Sequence, residues 1–129
     1  MEISRAEAEA FDALIALDEK DYTLADQRAY RSMLMAARSL VRNQYLDVSE
    51  DPDQIVDEFR ARFYDTELFY DKYAKGKFAS YLFDRHENGH GVPDEDAAHR
   101  LVEEANLFIE AAHACDARMA GTTIGGVTL

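Results

Sequence analysis

The stretch RFYDTELFYDKYAKGKFASYLFDRHE, Arg62–Glu87, holds eight of the chain's aromatic residues between Phe63 and Phe83. Aromatic side chains bury the most area per residue and dominate cores. The spacing therefore predicts a segment around which the remaining helices pack. Phe78, Tyr81, Leu82 and Arg85 share one helical face. Lys75-Gly76-Lys77 interrupts the run and predicts a kink or break, because glycine inside a helix costs about 1 kcal/mol relative to alanine.

Helical patterns flank this stretch on both sides. Ser4-x-x-Glu7 is a capping-box pattern ahead of an apolar stripe of Ala10, Phe11, Leu14 and Leu17. Asp18–Tyr22 is charged and reads as a turn. Thr23-x-x-Asp26 is a second start signal, and the helix it opens runs to about Tyr45 without Gly or Pro. Its apolar face is Tyr30, Met33, Leu34, Ala37, Leu40 and Val41. Beside it Arg28, Arg31, Arg38 and Arg42 fall in one arc at about 100° per residue. Asp51-Pro52 reads as an N-cap followed by proline at the first helical position, ahead of Ile55, Val56, Phe59 and Phe63. Asn88–Pro93 is the strongest breaker, and Asp94, Glu95 and Asp96 suit the positive end of a new helix. That last helix carries a seam of alternating four- and three-residue spacings: Leu101, Ala105, Phe108, Ala112, Cys115 and Met119. Gly121 is its expected end. The fold expected is an all-α antiparallel bundle of four to five helices over residues 1–120, followed by a flexible tail over residues 121–129.

Composition narrows the function classes. The 129 residues suit one domain, and 47% apolar residues suffice for a core. The amino terminus lacks the pattern of a signal peptide and no apolar run is long enough to span a membrane, so cytoplasmic location is the expectation. The net charge of −12 repels phosphate backbones and argues against non-specific nucleic-acid binding. The single Cys115 lies on the apolar seam and reads as a small buried hydrophobe; one cysteine supports neither an internal disulfide nor an iron–sulfur site. No cofactor is expected.

Few residues carry candidate chemistry. The arginine stripe Arg28, Arg31, Arg38 and Arg42 has two readings: ion pairing with acidic neighbouring helices, or a site for an anion or acidic partner, since guanidinium forks match carboxylate and phosphate. Glu110-x-x-His113 copies half of a di-iron site, but the seam turns both residues outward, and the helix before Tyr45 holds no glutamate after Leu24. His99, Glu103, Glu110 and His113 share that outer face. Arg85-x4-His90 pairs an anion-stabilising group with a general acid–base. Its spacing resembles the RNase motif of HEPN-type helical domains, a resemblance that implies an all-helical, commonly dimeric domain whose catalytic members pair Arg and His across the dimer, and hence a metal-independent RNase or nucleotide-binding domain using Arg85 and His90. The alternative is that Arg85 and His86 cap the last carbonyls of their helix, with Asp94 or Asp96 as carboxylate partners.

Three phrases extend the resemblance: AYRSMLMAARSLVRNQ, FRARFYDTELFYDKYAKGKFASYLFDRHE and LVEEANLFIEAAHACDARM. From about Gln27 to Met119 the chain resembles the HEPN-like helical C-terminal extension of some bacterial sirohaem nitrite/sulfite reductases. The resemblance implies a non-catalytic accessory module of sulfur or nitrogen assimilation, with a protein partner such as the reductase, or a homodimer. The reductases' cluster and sirohaem ligands have no counterpart among these residues.

Overall fold

The computed structural model describes residues 2–44, 51–65, 77–88 and 94–128. Among them are five α-helices and no strand: α1 (Glu2–Asp18), α2 (Tyr22–Gln44), α3 (Pro52–Phe59), α4 (Lys77–Asn88) and α5 (Glu95–Thr128). A π-helical turn, Arg60–Tyr64, extends α3. The chain is an all-α helical bundle. No helix among the described residues is long and apolar enough to cross a membrane.

Local chemistry sets most of the helix ends, though not always at the residues expected. α1 begins at Glu2, ahead of Ser4. It ends in a Schellman turn: Lys20 N–H donates to the Leu17 carbonyl at 3.0 Å and Asp21 N–H to the Ala16 carbonyl at 2.9 Å. Lys20 sits at φ 63°, a left-handed position that favours glycine. Asp21, not Thr23, caps α2, its Oδ1 accepting from Leu24 N–H at 3.2 Å. Asp51 is the N-cap of α3 with Pro52 beside it, although its carboxylate makes no capping hydrogen bond. Asp94 caps α5, accepting from Ala97 N–H at 2.8 Å, with Glu95 and Asp96 in the first turn. α5 then passes Gly121 and continues to Thr128, so the break expected there is not where the helix stops. This stretch of helix includes Gly121, Gly125 and Gly126, each costing about 1 kcal/mol relative to alanine.

Alanine builds much of the core. Ala25, Ala29, Ala36 and Ala37 of α2 are fully buried. Side chains this small allow close interaxial approach, and α2 packs against each of the other four helices. α2 is therefore the central helix among the described residues; much of the aromatic segment, residues 66–76, lies outside them. The aromatic residues form one joint. Phe59 lies 5.9 Å from Phe63, 6.0 Å from Phe83 and 5.5 Å from Phe108, ring centre to ring centre. This ties α3, its π-turn, α4 and α5 together. The α5 seam is buried at Leu101, Ala105, Phe108, Ala112 and Cys115, as its spacing predicts.

α1 corrects the sequence reading. Its buried face is Ile3, Ala6, Ala10, Ala13 and Ala16, while Phe11 is 62% exposed and Leu14 and Ile15 are each 42% exposed. The alanine seam sits where α1 meets both α2 and α5, and the larger side chains are rotated outward. Gly76, Phe69, the segment 89–93 and the side chain of Phe78 lie outside the described residues.

Candidate functional site

Three regions concentrate polar or exposed apolar chemistry. The first surrounds Arg85, one turn beyond buried Leu82 on α4. Arg85 Nε donates to Asp26 Oδ2 of α2 at 3.0 Å, with the two side chains only 14% and 7% exposed. The guanidinium also lies over the Tyr30 ring, 4.6 Å from its centre. The Tyr30 hydroxyl is 2.8 Å from His86 Nδ1, and His86 Nε2 is 2.9 Å from Asp53 Oδ1 of α3. In the neutral imidazole these partners place the proton on Nε2, donating to Asp53, so that Nδ1 accepts from Tyr30. Burial raises the Tyr30 pKa above its ordinary value; the Arg85 charge opposes this and the Asp53 charge adds to it.

The result is a continuous chain, Asp26–Arg85–Tyr30–His86–Asp53, that clamps α2, α3 and α4. The partner of Arg85 is thus Asp26 of α2, instead of the expected Asp94 or Asp96 of the following helix. Asp96 does stand near, lining with Asp84 and Arg100 a cavity of about 400 Å³ beside Arg85. His90 lies outside the described residues.

The arginine stripe of α2 divides. Arg28 is held by α1, with Nη1 3.0 Å from Glu9 Oε1 and 3.6 Å from Asp12 Oδ2. This is the interhelical ion-pair reading. Arg42 also interacts with a neighbour. Arg31 and Arg38 line a different environment, a cavity of about 380 Å³ between α1, α2 and α3 that also takes Arg5 from α1. Arg5 carried no signal in the sequence, because its place beside Arg31 depends on how α1 and α2 pair.

The third region is a groove of about 470 Å³ between α1 and α5. Ala10, Phe11 and Leu14 line one wall and Asn106 and Ile109 the other, with Glu7, Glu110 and His113 at its polar edge. His113 of α5 meets Glu7 of α1 at 3.1 Å. The sequence signal for this groove was present in the offset between two stripes on α1, one alanine-rich and one of larger residues.

On α5, His99, Glu103, Glu110 and His113 are exposed, as its seam requires, whereas Glu104 is half-buried with its Oε2 shielded from solvent. His113 pairs with Glu7 at 3.1 Å and His99 with Glu103 at 2.9 Å. Among the described residues no three His, Cys, Asp or Glu side chains converge as metal ligands. Comparison with protein-family models, curated proteins and solved structures finds no match for this chain.

Proposed function

We propose that the chain is a non-catalytic helical module that docks a partner protein on its α1–α5 face. The observation that carries this reading is the exposure of Phe11, Leu14 and Ile15 on α1 while alanines fill the buried face of the same helix. Covering such side chains contributes about 1.5–3 kcal/mol each when burial is complete. The surround is acidic: Glu7 and Glu110 edge the groove, and Asp12 and Asp18 are exposed on α1. Charge complementarity then favours an apolar helix with basic flanks as the occupant. A second copy of this chain would set Glu7 and Glu110 against their own counterparts.

Following the sequence resemblance, we take the partner to be a sirohaem nitrite or sulfite reductase and the setting to be sulfur or nitrogen assimilation in the cytoplasm. The rival RNase reading requires Arg85 to face a phosphate, whereas Arg85 is drawn to Asp26 and Tyr30. The test is titration calorimetry of the chain into purified reductase, with sedimentation of the chain alone. We expect a complex that Phe11→Asp weakens by about tenfold or more with the helical spectrum unchanged. A monomer that leaves the reductase unbound would end the docking reading. RNA cleavage by wild type that is abolished in His90→Ala would put the nuclease reading in its place.

A further inference from the structure

The half-open cavity between α1, α2 and α3 gathers three arginines, Arg5, Arg31 and Arg38. Arg31, Leu34, Met35 and Arg38 supply one wall from α2 at spacings of three, one and three, a single helical face. Ile55 of α3 faces them, and Arg5 of α1 closes the group. The pairing of α1 with α2 explains why Arg5 belongs here. Glu9 meets Arg28, and one turn further along each antiparallel helix brings residue 5 level with residues 31 and 32. Among the described residues no carboxylate lines the cavity. Arg5 and Arg31 form no ion pair with any described residue, while Arg38 is half-buried and engaged by a neighbour. Two exposed forks and one half-buried fork thus stand beside Leu34, Met35 and Ile55.

We propose that this cavity binds a small phosphorylated molecule, with its phosphoryl group among Arg5, Arg31 and Arg38 and an apolar body on Leu34, Met35 and Ile55. Three guanidinium forks suit the three terminal oxygens of a phosphomonoester dianion. A volume of about 380 Å³ lies at the lower end of ordinary small-molecule sites. The net charge of −12 opposes anions at long range, so affinity comes from local pairing and not from the field of the whole protein. The site is independent of the docking face. At 100° per residue Arg5 falls on the α2 flank of α1, with Phe11 and Leu14 on the α5 flank.

The experiment is titration calorimetry of the intact chain with phenyl phosphate, inorganic phosphate, benzoate and phenol. Saturable one-to-one binding of phenyl phosphate is expected, tighter than inorganic phosphate because of the apolar side chains and tighter than benzoate because of the second charge. Arg31→Gln and Arg5→Gln each weaken it by about tenfold or more. Arg31→Lys weakens it less than Arg31→Gln, since charge remains and the fork is lost. Arg28→Gln, whose arginine is held by Glu9 on the same stripe, leaves it unchanged. Arg5 and Arg31 are exposed, so their variants fold, which melting confirms. Equal affinity in Arg31→Gln and wild type, phenol or benzoate binding as tightly as phenyl phosphate, or no saturable binding in the millimolar range overturns the proposal.

Discussion

Replacing Arg85 with alanine tests whether this arginine holds the bundle together. Three effects act in the same direction. The hydrogen-bonded ion pair with Asp26 is lost, an interaction worth about 1.5–3 kcal/mol for a charged partner. The contact with the Tyr30 face is lost, worth about 1 kcal/mol. The Asp26 carboxylate, 7% exposed, is left without its cation. Breaking a buried pair from one side costs about 3–5 kcal/mol. Asp26 keeps a further interaction and Arg85 is partly open to water, so the lower end applies and Arg85→Ala loses about 3 kcal/mol. For a domain of this size that lowers the melting temperature by roughly 12 °C. Arg85→Lys retains charge without the Nε donor or the planar stacking group, and falls between alanine and wild type. The double variant Asp26→Leu/Arg85→Met recovers most of the loss, because neither charge is then stranded. Urea unfolding followed by circular dichroism reads wild type, Arg85→Ala, Arg85→Lys, the double variant and its two component singles, Asp26→Leu and Arg85→Met. An Arg85→Ala midpoint indistinguishable from wild type, or a double variant as unstable as the sum of the singles, would refute the clamp and return Arg85 to the catalytic reading.

Other perturbations probe the remaining joints. Lys20→Gly relieves the left-handed backbone of the Schellman turn and stabilises the chain by about 1 kcal/mol in thermal melting; a loss of stability would contradict the turn geometry. Phe59→Ala opens a cavity where four aromatic rings meet and costs about 3–5 kcal/mol in denaturant titration. Tyr30 has its pKa raised above 10.0 in the fold, so its neutral hydroxyl contributes stability that is complete below pH 10.0 and lost as pH rises through the folded-state value. Melting temperature measured across that alkaline range falls in wild type by more than in Tyr30→Phe, and parallel curves for the two would count against burial of the hydroxyl.

The sequence by itself determined what depends on local periodicity. The seam from Leu101 to Cys115 alternates at helical spacing, and burial follows it residue by residue. The Asp51-Pro52 and Asp94 starts were legible because an N-cap is a property of a few adjacent residues. The outward position of Glu110 and His113 followed from the same seam. The docking and anion-site readings needed more, because they depend on which helices meet and at what height. Asp26 is 59 residues from Arg85, and no local pattern distinguishes the carboxylate that receives that arginine from Asp94 or Asp96. The four arginines of α2 share one arc, yet α1 neutralises Arg28 while the cavity with Arg5 takes Arg31 and Arg38. On α1 both stripes have helical spacing. Only the close approach of α2 and α5 selects the alanine stripe for burial, since small side chains let both neighbours come near at once, and this leaves Phe11, Leu14 and Ile15 facing out.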